Sequence, residues 1–312
     1  MSDQTSAVRG GLIGVGVGPG DPELLTLRAV RVIRDADRVL APSSAIDAGG
    51  RAESIVRQAC PGVVIERLVF AMGGAAPSID TAAARVVAGL DAGERLVFVT
   101  LGDPNVYSTF SSVAAKVCEL RPGAAIGTVP GIMAFQELAS RSDTVVLQNT
   151  ERLALITALD GADALGEALD DPTQAVVVYK GGRHLPEMAK RLASAGRLDG
   201  AVVGELLGLP GERVLPVAEA AAGPAAYLAT VIVPPQGRAR QLRKAENGLP
   251  DRRAGERSEL DPSEPDMSRQ SAGVAVQRTE GVAGERSELD PSEPGVWPPK
   301  ADDAVDATEG LM

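Results

Sequence analysis

An α/β fold of two domains with a ligand cleft between them is what the sequence predicts, and three observations carry the prediction. Short runs of Val, Leu, Ile and Ala recur through residues 1–235 and alternate with helix-like stretches, as strands and crossover helices do around mostly parallel sheets. Only four Phe, three Tyr and one Trp are available, so the core is filled by aliphatic residues, the usual filling of sheets covered on both faces. Finally, two strand-like runs end abruptly in Gly/Pro loops, GVGVGPGDPELLT from Gly14 and TLGDPNVYST from Thr100. A strand that stops in such a loop and restarts as a helix is a common way to bring backbone against a ligand.

The strand-like runs cover residues 12–17, 38–41, 63–69, 96–100, 125–129, 144–147, 175–179, 201–205 and 227–233, and helices fill the gaps. The clearest helix begins after Asp21 as N-cap, with Pro22 at its first position and Glu23 in its first turn. Leu24, Leu27, Val30 and Ile33 then follow at helical spacing. Arg121-Pro122-Gly123 divides the core into an N-terminal domain of residues 1–122 and a C-terminal domain of residues 123–235. The cleft between two such halves is a usual place for a ligand.

Composition changes after Pro234-Pro235. Residues 236–312 are rich in Pro, Glu, Asp, Ser, Gly and Arg, and carry AGERSELDPSEP twice, at residues 254–265 and 283–294, together with the only tryptophan, Trp297. Such a segment buries too little apolar surface to offset its ordering entropy, so a disordered acidic tail is expected. Two copies do not make a solenoid.

Charge and composition exclude several functions. The chain has a formal net charge of −11, and residues 1–235 hold 20 basic against 26 acidic residues, an unfavourable balance for a nucleic-acid backbone. No apolar run reaches the length of a membrane span, and the start MSDQTSAVRGG does not read as a signal peptide, so a cytoplasmic protein is expected. Cys60 and Cys118 form no CxxC pair and His184 is the single histidine, which argues against a zinc site, a histidine cluster or any required metal. The first glycine loop also fails the dinucleotide fingerprint. After Gly14 and Gly16 the third glycine position holds Pro19, after Gly16 and Gly18 it holds Asp21, and no GK[ST] follows.

Three segments, GVGPGDPELLTLRAVRVIRDADRVLAP, TLGDPNVYSTFS and VPGIMAFQELASR, resemble the tetrapyrrole methylase family over about residues 10–235. VGPGDPELLT and the strand-terminal GDP are shared widely in that family, whereas NVYSTFS with VPGIMAFQELA resembles the branch that methylates the C-20 meso carbon of precorrin-2 in cobalamin biosynthesis. The resemblance implies two α/β domains with S-adenosylmethionine bound in the cleft between them, and a homodimer. It implies donor contacts at Pro19, Gly102, Asp103, Val106, Met133 and Ala134, and from the second domain at Lys180, Glu205 and Leu207. Relatives often carry an apolar residue where Lys180 stands.

The residues have physical readings of their own. Gly102 lets backbone approach a ligand, and Asp103 offers a carboxylate to a cationic amino group or a hydroxyl, or else serves an Asp-Pro turn. Direct methyl transfer needs no protein nucleophile. Tyr107 is the expected catalytic, substrate-side residue, able to stack on a macrocycle edge, with carboxylates, water and His184 as further proton acceptors. The substrate that the resemblance implies is a polycarboxylate, so arginines are expected to meet it: Arg28 on the helix after the first loop, with Arg141 and Arg183 from the other domain. Competing readings are methylation at another ring carbon, a non-tetrapyrrole member of the same fold such as a diphthine synthase or ribosomal-RNA methylase, and a non-catalytic scaffold using the repeated tail.

Overall fold

The computed structural model describes residues 10–44, 49–70 and 76–236. The first half of that chain alternates strand and helix: β1 (Gly11–Gly16), α1 (Leu27–Asp35), β2 (Arg38–Ser43), α2 (Arg51–Ala59), β3 (Ile65–Val69), α3 (Ala76–Asp91), β4 (Arg95–Thr100), α4 (Thr109–Leu120) and β5 (Ile126–Val129). Its five strands form one sheet in the order β3-β2-β4-β1-β5, with every neighbouring pair parallel. Alternate residues of each strand serve opposite faces. Ile13, Val15, Val39, Val97 and Val99 pack with Val32 and Ile33 of α1 and Ile55 and Val56 of α2. Leu12, Leu40, Leu68, Leu96 and Phe98 pack with α3 and α4 on the other face. Burial on both faces is why these strands read as continuous apolar runs. Gly14 leaves room for the Phe110 ring of α4, which a Cβ at that position would meet at 2.6 Å.

The second half holds α5 (Ala134–Arg141), β6 (Arg152–Thr157), α6 (Asp163–Leu169), β7 (Gln174–Tyr179), α7 (Leu185–Ser194), β8 (Val202–Glu205), β9 (Arg213–Pro216), α8 (Val217–Ala220) and β10 (Thr230–Val233). Its sheet runs β6-β7-β10-β8-β9. Only β6 and β7 are parallel, and the other three pairings are antiparallel. One face packs Val176, Val178, Val203, Val231 and Val233 on α6, α7 and α8, while Val177, Val202 and Ile232 face Leu138 of α5. Among the described residues no helix is long and apolar enough to cross a membrane.

Four expectations change. The helix expected after Asp21 is two elements: Asp21 caps a single 3-10 turn at Pro22–Leu24, the chain extends through Leu25 and Thr26, and Thr26 then caps α1. Leu27 consequently points outward, 84% exposed. The boundary at 122/123 falls inside the first sheet, because β5 pairs with β1 and completes it. Residues 144–147 make no strand. The sixth strand is β6 instead, and β9 was not expected at all. The last strand starts at Thr230, since Tyr227 and Leu228 lie in a turn. The tail with its two repeats and Trp297 lies outside the described residues.

Candidate active site

Parallel pairing brings the carboxyl ends of β1, β2, β4 and β5 to one edge of the first sheet, the place where open α/β sheets hold ligands. The loops leaving β1 and β4 are tied together there. Val17 N–H donates to the Thr100 carbonyl at 2.9 Å, and Gly102 N–H donates to the Gly18 carbonyl at 2.9 Å. The loop after β5 joins them through Asp103, whose Oδ2 accepts from Gly131 N–H at 3.1 Å while Oδ1 accepts from Asn105 N–H at 2.8 Å. Backbone approach is so close that a Cβ on Gly16 would overlap the Gly102 carbonyl and the Gly131 backbone, and one on Gly131 would overlap the same carbonyl. The second half closes against the first loop in like manner, because a Cβ on Gly20 would overlap the Leu207 carbonyl.

These loops open onto a cavity of about 440 Å³, within the range of small-molecule sites. Nine expected residues line it: Pro19, Gly102, Asp103, Val106, Tyr107, Met133, Ala134, Lys180 and Leu207. It also takes in Leu206, within the expected stretch from Glu205 to Leu207, and Arg51, Phe70, Tyr179, Tyr227 and Thr230, which were not expected. All three tyrosines of a chain poor in aromatics therefore meet at one cavity. The Tyr107 and Tyr179 rings stand edge to face at 6.4 Å between centroids.

Backbone strain gathers at the same place. Tyr107, Lys180 and Leu206 have φ of 47°, 58° and 52°, the left-handed region that side chains other than Gly, Asn and Asp seldom adopt. Side-chain bonds hold two of them. Tyr107 donates its hydroxyl to the Leu155 carbonyl at 2.8 Å, and Lys180 Nζ donates to the Tyr107 carbonyl at 2.9 Å, so the two halves are latched across the cavity. Burial pushes the Lys180 ammonium down from its usual pKa. Burial likewise pushes the Tyr179 phenol up to about 12, although its oxygen accepts from Phe135 N–H at 3.2 Å. Tyr179 thus stays a neutral hydroxyl at physiological pH.

Four expected residues do not line the cavity. Glu205 is buried in β8, where Oε2 accepts from Ala226 N–H at 2.7 Å and Oε1 pairs with Arg213 at 3.2 Å, so its carboxylate is consumed by the fold. Arg28 projects from the exposed side of α1. Arg141 is bound to Glu137 at 2.6 Å with Glu212 at 3.9 Å, and the Glu137 carboxylate beside it holds its pKa above the usual arginine value. Arg183 donates to His184 Nε2 at 2.8 Å and to the Leu159 carbonyl, which keeps both residues out of the cavity lining. Among the described residues no three His, Cys, Asp or Glu gather as a metal would require.

The pocket combines glycine-lined backbone at one end, aromatic and aliphatic walls, two cationic side chains, Arg51 and Lys180, and one carboxylate, Asp103. The Tetrapyrrole (Corrin/Porphyrin) Methylases family matches residues 11–222. Among curated proteins the chain is 32% identical over 238 residues to a precorrin-2 C(20)-methyltransferase of Sinorhizobium, covering 72% of this chain and 95% of that one. It is 28% identical over 212 residues to a cobalt-precorrin-2 C(20)-methyltransferase of Salmonella typhimurium, covering 66% and 87%. It is 33% identical over 251 residues to cobalamin biosynthesis protein CobIJ of Mycobacterium bovis, covering 76% of this chain but only 48%, about half, of that protein. The uroporphyrin-III C-methyltransferase of Thermus thermophilus, solved in complex with S-adenosyl homocysteine, shares the fold with a TM-score of 0.53 at 23% identity, over 72% of this chain and 97% of that one. With a family match over residues 11–222, from β1 through α8, the chain belongs to the tetrapyrrole (corrin/porphyrin) methylases, a family of S-adenosylmethionine-dependent methyltransferases.

Proposed function

We propose that the protein transfers the methyl group of S-adenosylmethionine to the C-20 meso carbon of precorrin-2, or of its cobalt-loaded form, in cobalamin biosynthesis. The observation that carries this reading is that the segments most like the C-20 branch, NVYSTFS and VPGIMAFQELA, supply Val106, Tyr107, Met133 and Ala134 to the cavity wall. The alignment with the Sinorhizobium C-20 enzyme over nearly its whole length supports the same choice.

In this reading the glycine cradle at the ends of β1, β4 and β5, with Pro19, Gly102, Asp103, Val106, Met133, Ala134 and Leu207, holds the donor, and Lys180 closes over it from the second half. The reaction is an in-line displacement. The C-20 carbon forms a bond to the methyl carbon, the methyl–sulfur bond breaks with its electron pair passing to sulfur, and C-20 then gives up its proton to solvent water as the product leaves. The protein supplies no nucleophile. It aligns carbon, methyl and sulfur and keeps water away, an orientation effect that reaches about 7–11 kcal/mol in well-oriented intramolecular reactions. Tyr107, held by Leu155 and Lys180 on the second half, presents its ring to the acceptor. The assembly is a cytoplasmic homodimer, which light scattering tests.

The test is calorimetric titration with S-adenosylhomocysteine, followed by anaerobic incubation of precorrin-2 with isotopically labelled donor and NMR of the product. Binding with one label at C-20 is expected. A label at another carbon moves the protein to a sister activity, and absence of binding removes the donor site altogether.

A further inference from the structure

The cavity extends past the glycine cradle toward the side of the sheet where β2 and β3 end, and there Ser43, Arg51 and Phe70 line it. Arg51 is half-buried at the start of α2 and makes no hydrogen bond or ion pair with any described residue. The arginines of α2 and β3 that follow it, Arg57 and Arg67, are both engaged on Glu53. A guanidinium partly removed from water and without a protein acceptor is free to take one from a ligand in the cavity. The sole described carboxylate in the lining, Asp103, is already taken by the Gly131 and Asn105 N–H groups. The other cation of the lining, Lys180, already donates to Tyr107.

We propose that Arg51 binds a peripheral carboxylate of the tetrapyrrole acceptor and thereby sets the orientation in which the macrocycle enters the cleft. The assignment rests on the acceptor proposed above being a polycarboxylate tetrapyrrole. Sheet order separates the two ligands. The loops after β4, β1 and β5 lie side by side and form the cradle, whereas Arg51 follows β2, on the opposite side of β4 from β1. An amino-acid carboxylate in the cradle and a side-chain carboxylate of the macrocycle therefore fall at different ends. The base of α2 is fixed, since buried Glu53 accepts from Arg67 at 2.7 Å and pairs with Arg57 at 2.8 Å, so Arg51 projects from an ordered backbone. A guanidinium meets a carboxylate in a two-point fork that fixes direction as well as distance. Arg51 takes over the role that the sequence assigned to Arg28, Arg141 and Arg183.

The experiment compares the full-length wild type with Arg51→Gln and Arg51→Lys, measuring anaerobic methylation of precorrin-2, direct binding of precorrin-2 by absorbance, and S-adenosylhomocysteine affinity by calorimetry. For Arg51→Gln the KM and Kd for precorrin-2 rise at least tenfold while S-adenosylhomocysteine affinity stays within twofold. Arg51→Lys, which keeps the charge and loses the fork, falls between, and it carries the test alone if the Gln variant does not fold. Unchanged precorrin-2 binding in both variants overturns the proposal. So does a loss that falls on S-adenosylhomocysteine instead, which places the guanidinium on the donor's carboxylate. A wild type that neither binds nor methylates precorrin-2 overturns the acceptor assignment itself, whereas a wild type that methylates it beside variants of unchanged KM overturns only the role of Arg51.

Discussion

Asp103 shows how one side chain ties two loops together. Its two oxygens take backbone N–H groups from its own loop and from the loop after β5, so removing them loosens two walls of the cavity at once. Hydrogen bonds to a charged acceptor are worth about 1.5–3 kcal/mol each. Asp103→Ala is therefore expected to lower the unfolding free energy by about 2 kcal/mol or more in urea titration, and to weaken S-adenosylhomocysteine binding in calorimetry. Unaltered values for both would show the two bonds to be idle. Glu53 makes a different case, because its work is pH-dependent. The guanidinium of Arg67, reinforced by Arg57, draws its carboxyl from 4.5 down to about 2, and its side chain is only 2% exposed. A folded pKa below the unfolded one gives stability that is fully present above pH 4.5 and lost as pH falls toward 2. The linkage amounts to roughly 3 kcal/mol at neutral pH. Glu53→Gln should thus be markedly less stable than the wild type at pH 7, with the difference in unfolding free energy shrinking steadily between pH 5 and pH 2. A gap that does not change with pH would rule the linkage out.

At the level of the element, the second sheet is held at its margin by Arg197. Its buried Nη2 donates to the Gln174 carbonyl at 2.7 Å, where β7 starts, and to the Pro234 carbonyl at 2.8 Å, just past the end of β10. Arg197→Met keeps the volume and strips both donors, at a cost of about 1–3 kcal/mol for acceptors left without a partner. Scanning calorimetry should register it as a fall of about 2–4 °C per kcal/mol, as is usual for a fold of this size, with S-adenosylhomocysteine affinity unchanged because neither carbonyl lines the cavity. Elements whose local chemistry and burial agree could be read from the sequence. β1, β4 and β7 are apolar runs ending at a loop, and they are buried nearly throughout. RLALIT, by contrast, contains Leu and Ala that suit a helix equally well, and β6 is an edge strand with no fully buried residue to mark its period. Residues 144–147 have β-branched character but form no strand, so propensity alone misplaced them. The helix after Asp21 was divided by Thr26, whose Oγ1 accepts from Ala29 N–H at 3.1 Å: the apolar spacing ran on through a position that the chain uses as a cap. The site divides on the same line. Loop residues next to Gly and Pro announced themselves, whereas Tyr179, Tyr227 and Arg51 come from three distant segments that only the tertiary fold assembles.

For the whole molecule, the question is how much of the chain the chemistry uses. Both sheets, every residue lining the cavity and the latch from Lys180 to Tyr107 lie between Gly10 and Gln236, and the family match ends at residue 222. The last described link of that region, Gln236 N–H to the Pro172 carbonyl at 2.8 Å, anchors the chain beside β7 immediately after Arg197 has secured β10. Among the described residues, the two cores and the cleft lining all lie before residue 237. Hydrophobic burial supplies most of the stability of such a fold, and the buried apolar clusters of the described residues lie within this span. A protein ending at Gln236 should accordingly unfold at the same temperature as the full chain, bind S-adenosylhomocysteine with the same affinity and methylate precorrin-2 with the same kcat and KM. A drop in melting temperature would mean that residues 237–312 cover part of the fold. Retained donor affinity with a raised KM for the tetrapyrrole would instead assign the repeated acidic segment to acceptor capture, an outcome at odds with placing that task on Arg51 alone.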